Sequence, residues 1–188
     1  MRLKRWIEAR QMALMGYVTR IIIIETGLSD KQVRRLYEEI DRDGFKLEKN
    51  RTTRTTRSGA TLLLNQASKI HASLLMQLYR QVGGESVTTS ISIDALDRAY
   101  RMYQAVLCEL VLVEPTIRNV TFTISDAWCL ASELRSNEAM FDICPNCQCS
   151  YFTSIHQSTA IGCPFCYEPP NRNKHKSNEL EVLAVIES

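Results

Sequence analysis

No stretch of this 188-residue chain approaches the roughly 18 consecutive apolar residues that a membrane-spanning helix needs. The most apolar run, Ile21-Ile22-Ile23-Ile24, is short and bracketed by Arg20 and Glu25. Nor is there a phosphate-cradling glycine loop, a nucleophile elbow or an internal repeat, so the sequence offers no catalytic constellation and points away from an enzyme. No signal peptide opens the chain, and a cytoplasmic setting with reduced cysteines is expected. Hydrophobic and charged contents of 45% and 23% describe a soluble globular protein, long enough for one domain with a small appendage.

Net charge is nearly absent too, at +2, but it is unevenly placed. Residues 1–57 hold 14 Lys/Arg against 8 Asp/Glu, a net +6, whereas residues 58–188 hold 9 against 13, a net −4. A basic N-terminal third on an acidic body suggests that one end meets a polyanion.

What the chain does have is cysteine in a pattern. Cys144-Pro-Asn-Cys147 and Cys163-Pro-Phe-Cys166 are separated by 15 residues, the spacing of a site in which two tight knuckles offer four sulfurs to one tetrahedral zinc ion, one per chain. Proline after the first cysteine of each pair pre-sets the turn. Tyr151, Phe152, Ile155 and Ile161 are expected to cover the site. The segment is too short to fold by burial alone, and metal binding would supply its folding free energy, of order 10–16 kcal/mol. Two other readings use the same sulfurs. A disulfide framework leaves one of seven cysteines unpaired, and a rubredoxin-like iron centre would make the protein a redox carrier. Catalytic zinc is disfavoured because four thiolates close the coordination shell. Cys149 reads as a spare thiol and His156 as a loop residue.

At the other end, Leu3 to Glu25 favours one helix. Its four consecutive isoleucines put apolar side chains around nearly a full turn, more than a surface helix can hide; intrachain core and a partner subunit are the two ways to cover them, and a partner interface is expected. Thr26-Gly27-Leu28-Ser29 is a turn, and Ser29 with Gln32 forms a capping box for a second helix whose buried face is Val33, Leu36, Tyr37 and Ile40. Helix, glycine turn and capped helix make the pattern of a helix-turn-helix. Ile23, four before the glycine, stands where a small alanine usually permits close helix approach. Lys31, Gln32, Arg34 and Arg35 would then face the DNA groove and its phosphates. Arg51, Arg54 and Arg57, in a Thr-rich loop, would add backbone contacts.

The body reads as helical. A broad apolar face spans Leu62 to Val82 (Leu63, Leu64, Ala67, Ile70, Leu74, Leu75, Leu78), with His71 a structural residue beside it and Gly83-Gly84 as its stop. Ser92 caps a helix over Ile93 to Val113, and Thr123 or Ser125 starts another through Trp128, Leu130 and Leu134. Cys108 and Cys129 read as small core residues. The expectation is a mainly α fold: residues 1–57 a helix-turn-helix-like segment with its basic loop, 58–140 a helical body, 141–170 a zinc-binding module, and 171–188 a basic tail around Arg172, Lys174 and Lys176.

In order along the chain, Gly27-Leu28-Ser29 through Arg35-Leu36-Tyr37-Glu38-Glu39, His71-Ala72-Ser73, Ala99-Tyr100-Arg101-Met102-Tyr103, Ala127-Trp128 and the four-cysteine segment resemble the FlhC family, a subunit of the bacterial flagellar master transcriptional activator. The resemblance implies zinc held by Cys144, Cys147, Cys163 and Cys166, assembly with an FlhD-like partner, and activation of flagellar promoters on double-stranded DNA with RNA polymerase. Where family members carry a proline-containing connection after the second helix, this chain has its Thr- and Arg-rich loop, which suggests different target promoters. A scaffold whose knuckles only organise a protein-binding surface is the alternative of a different class.

Overall fold

The computed structural model describes residues 2–47, 56–113, 121–157 and 162–166. Among these residues seven α-helices and one antiparallel hairpin make a mainly α fold, with the four cysteines at the end of the hairpin.

The N-terminal unit is α1 (Arg2–Met15), α2 (Thr19–Thr26) and α3 (Asp30–Arg42). The single helix expected over Leu3 to Glu25 is therefore two. Gly16 takes φ +102°, and the N–H groups of Gly16 and Tyr17 both reach Met12 O, at 3.2 and 3.1 Å, closing α1 in the left-handed manner. Extended Val18, its N–H held by Ser125 Oγ at 3.0 Å, begins α2. The break changes the fate of the isoleucines. Ile21 and Ile22 are fully buried and Ile23 packs on the core, leaving only Ile24 half-exposed at 51%. The run is mostly intrachain core, and the inference of a partner interface from it does not hold: with α1 folded back beside α2, cover comes from within the chain.

The α2–α3 connection follows the expected chemistry. Gly27 is left-handed at φ +67° and donates to Ile23 O at 2.9 Å. Ser29 Oγ accepts from Gln32 N–H at 3.3 Å while Gln32 Oε1 accepts from Ser29 N–H at 2.8 Å, completing the capping box. Val33, Leu36 and Ile40 are buried, and half-buried Tyr37 shares a 3.0 Å hydrogen bond with Thr19 Oγ1.

The helix expected over Leu62 to Val82 also divides, into α4 (Gly59–Leu62) and α5 (Gln66–Gly83). Asn65 Oδ1 accepts from Ser68 N–H at 2.8 Å, a cap that resets the helical phase. The buried face of α5 is consequently Ser68, Lys69, His71, Ala72, Ser73, Leu75, Met76 and Tyr79, while Leu64 is exposed and Ile70, Leu74 and Leu78 are only half-buried. α5 packs on α6 (Ile93–Val113), on α7 (Ile124–Arg135) and on the hairpin, so polar residues on its hairpin side are buried along with apolar ones. His71 is structural, its Nδ1 2.8 Å from Tyr103 OH.

Ser92 caps α6 as expected, accepting from Ala95 N–H at 3.3 Å. The second half of α6 stands away from the core: Cys108 is exposed, contrary to its expected place, and Leu112 is 85% exposed. Thr123 is the N-cap of α7. A short 3-10 turn spans Glu85–Thr88, and the element absent from the sequence reading is the hairpin of β1 (Ala139–Ile143) and β2 (Ser150–Ser154), registered Ala139 opposite Ser154 and Phe141 opposite Phe152.

Candidate metal centre and nucleic-acid interface

The hairpin turn is the first knuckle. Cys144 N–H donates to Cys149 O at 3.0 Å and Gln148 N–H to Cys144 O at 2.9 Å; Gln148 takes φ +59° to close the loop. The second knuckle lies beside it, Pro164 O accepting from Gln66 Nε2 at 2.8 Å. Together they bring the sulfurs of Cys144, Cys147, Cys163 and Cys166 within 4.8 Å of one another. The pairs Cys144–Cys166 and Cys147–Cys163 stand at 3.9 and 3.6 Å. Sulfurs about 2.3 Å from a tetrahedral ion lie ~3.8 Å apart, so the cluster fits a tetrathiolate metal. All seven cysteines are free, and these separations far exceed an S–S bond of about 2.05 Å, which rules out the disulfide reading in this fold.

The electrostatics of the four thiols also favour a cation. Backbone N–H groups of Cys147 and Asn146 help pull Cys144 down to about 7, while the sulfurs of Cys147 and Cys144, together with burial, push Cys166 up to about 12. Burial raises Cys163 as well. Four adjacent sulfurs cannot all ionise at neutral pH against their mutual repulsion, and a divalent ion removes that penalty.

Of the residues expected to cover the centre, Phe152 is fully buried, edge-on to Phe141 with centroids 5.8 Å apart. Tyr151 is half-buried, its ring 4.8 Å from the Lys69 ammonium. Ile155 is exposed because it lies past the end of β2, so it covers nothing; Ile161 falls outside the described residues. His156 sits against Glu138 at 3.4 Å, apart from the sulfurs, and Cys149 is exposed outside the cluster.

A polar stripe of α5 carries the module, and the sequence reading passed over it. Gln66 binds Pro164, Lys69 lies on Tyr151, Ser73 Oγ accepts from Phe152 N–H at 3.0 Å, and Gln77 Nε2 donates to Ser150 O at 3.4 Å. The spacing 66, 69, 73, 77 is a helical face, the signal by which it could have been found. A second anchor is Glu133 of α7, whose carboxylate accepts from Gly59 N–H and from Ser154 Oγ, each at 2.6 Å.

On α3, Lys31, Arg34 and Arg35 are exposed and turned away from Val33 and Leu36. Arg34 Nε lies 2.9 Å from Asp30 and Arg35 Nε 3.3 Å from Glu39, and both guanidinium side chains remain about three-quarters exposed, at 76% and 75%. Such exposed pairs are weak and a phosphate can displace them. Gln32 is half-buried and its carbonyl oxygen serves the capping box. Arg57 pairs with the buried Asp126 at 3.5 Å. Arg51 and Arg54 lie outside the described residues, as does the basic tail. The sequence reading did not single out Arg5, whose exposed guanidinium comes to 3.9 Å from the Cβ position at Gly27, beside the turn into α3.

The family model described as flagellar transcriptional activator (FlhC) matches residues 4–179, nearly the whole chain. The chain belongs to the FlhC family. A search of curated proteins returns no match. Membership makes the protein a transcriptional activator of the flagellar system, in a family of transcriptional regulators. Among the described residues, no helix is long and apolar enough to cross a membrane.

Proposed function

We propose that this FlhC-family chain is a cytoplasmic DNA-binding activator subunit that holds one zinc ion and works with an FlhD-like partner and RNA polymerase at flagellar promoters. The observation that carries this reading is the pairing of a tetrathiolate cluster with a capped α2–turn–α3 unit whose outward cations are Lys31, Arg34 and Arg35. In it, α3 enters the major groove, Arg34 and Arg35 exchange their own carboxylates for phosphates or base edges, and Arg51, Arg54 and Arg57 add backbone contacts. Gln32 contributes through its amide nitrogen while its oxygen stays on the cap. Zinc supplies fixed geometry to residues 141–170 and no chemistry, since four thiolates leave no open position.

Partner binding is assigned to apolar surface that the fold leaves uncovered. Leu3, Ile7 and Leu14 make one stripe on α1, and Leu110 and Leu112 stand on the projecting end of α6. The test is to purify the chain alone and with an FlhD-like subunit, then measure metal content, sedimentation, and duplex binding over a salt series. Zinc in stoichiometric amount and tight, salt-dependent promoter binding by the hetero-oligomer are expected. A red, visible-absorbing protein would mean iron, and salt-independent or undetectable duplex binding would favour the scaffold.

A further inference from the structure

Lys69 is a lysine with no exposed surface in the first turn of α5. Burying an ammonium is costly unless an anion or another favourable field compensates it. Lys69 points to the metal module: it lies one turn from Gln66, which grips the second knuckle through Pro164, and one turn from Ser73, which grips β2 at Phe152. Its Nζ rests 4.8 Å from the Tyr151 ring centroid. Burial pulls its pKa below the usual lysine value, and among the groups that oppose this are Asp142, itself held by Thr153 Oγ1 at 2.7 Å, and the sulfur of Cys163.

Four thiolates around a divalent ion carry a net charge of 2−, at a site walled on one side by α5. We propose that Lys69 is a positioning residue of the metal centre, its ammonium offsetting the charge of the metal–tetrathiolate unit and so raising metal affinity. It touches no metal; it acts through the thiolates and through the ring and backbone of the hairpin. This gives the buried lysine of α5's polar stripe a role, and it makes the metal-loaded module and α5 mutually stabilising.

The proposal rests on the tetrathiolate reading, and the test separates the two. Zinc-loaded full-length chain and its Lys69→Met and Lys69→Arg variants are titrated with a chromogenic chelator. Lys69→Met is expected to hold zinc about 10- to 100-fold more weakly, as other changes next to a metal's ligands do, with Lys69→Arg restoring most of the affinity. Cobalt-loaded Lys69→Met should keep the four-thiolate absorption pattern, showing that no ligand is lost. Stripped of metal, Lys69→Met should unfold no more easily than the parent, because methionine fills the space without a buried charge. Zinc affinity of Lys69→Met equal to the parent's would overturn the proposal. So would parallel loss of stability with and without metal, which is the mark of packing alone. If Lys69→Met does not fold, Lys69→Gln takes its place under the same outcomes. A parent chain that retains iron refutes zinc but leaves the comparison intact, since ferrous tetrathiolate has the same charge; one that holds no divalent ion refutes both.

Discussion

Replacing Gly59 by alanine reverses the sign that helix rules assign. Gly59 is the first residue of α4, and alanine in a helix is ordinarily favoured over glycine by up to about 1 kcal/mol. At this position, however, a Cβ would land on Ser154 Oγ and at 2.8 Å from Glu133 Oε2. Neither neighbour can step aside freely. Ser154 ends β2 and donates to Glu133, and the other Glu133 oxygen is occupied by Gly59 N–H, all of it buried. Overpacking costs about 1–3 kcal/mol. A hydrogen bond to a buried charge, if broken as α4 shifts, costs about 1.5–3 kcal/mol more. Against a propensity gain of up to about 1, Gly59→Ala should destabilise by about 1.5–5 kcal/mol. Urea unfolding of the metal-loaded protein measures it, as a lower midpoint with unchanged slope. Combining Gly59→Ala with Ser154→Gly should recover part of the loss. A Gly59→Ala protein as stable as the parent or more so would refute the claim that α4, α7 and the hairpin meet at this point.

Cys163→Ser should abolish stoichiometric metal, whereas Cys149→Ser should keep it; equal loss measured by elemental analysis would break the ligand assignment. Arg34→Ala and Arg35→Ala should each weaken duplex binding, lowering the salt slope by about one for a phosphate contact, with thermal stability nearly unchanged because both ion pairs are exposed. Unaltered binding by the double variant would move recognition off α3. Burial holds the pKa of His71 below its ordinary value, so the unfolded chain takes up the proton more readily. Stability should therefore fall as pH drops below about 6.5, and His71→Phe should flatten that dependence, which denaturation at about pH 7.5 and about pH 5.5 would reveal. An equal loss at both pH values would contradict it.

The legible parts of this chain were those in which one local rule acts without competition. Ser29 and Gln32 announce α3, and Ser92 with the Leu96–Tyr103 stripe announces α6 over its full span. The knuckles carry their own spacing. The illegible parts required knowing what lies across the core. Gly16 inside an apolar run is tolerable in a helix, and only the docking of Val18 on Ser125, 107 residues away, makes it a stop. Asn65 follows three leucines that mimic the start of α5's apolar face, but its cap begins the helix afresh. The strands are five residues each, and the alternate buried positions of β2 are Phe152 and a serine, Ser154, so no apolar alternation marks them in the sequence. Lys69 and Ser73 lie off the apolar face marked in the sequence, and they are buried because the hairpin packs over them.

These long-range anchors converge on α7, and that convergence decides what the metal can do for DNA binding. Toward the hairpin, Glu133 of α7 holds Ser154, the end of the strand that leads from the first knuckle. Toward the N-terminal unit, Ser125 holds the start of α2 through Val18, and Trp128 Nε1 donates to Glu25 Oε1 at 2.8 Å, two residues before Gly27. A short helix of 12 residues thus fixes both ends of α2 and one edge of the metal module. The surface of α3 is set against α2 by the turn and by Tyr37 on Thr19, so the path from the cysteines to α3 runs through α7 and α2. Such a path positions. Coupling between metal and DNA needs an element with two arrangements that both sites bias, and the hydrogen bonds made by Ser125, Trp128 and Glu133 offer one arrangement each in this structure. The contribution expected of a bound metal is therefore structural: without it the first knuckle would lose its closure, and the hold of Glu133 on Ser154 would be the first contact to weaken.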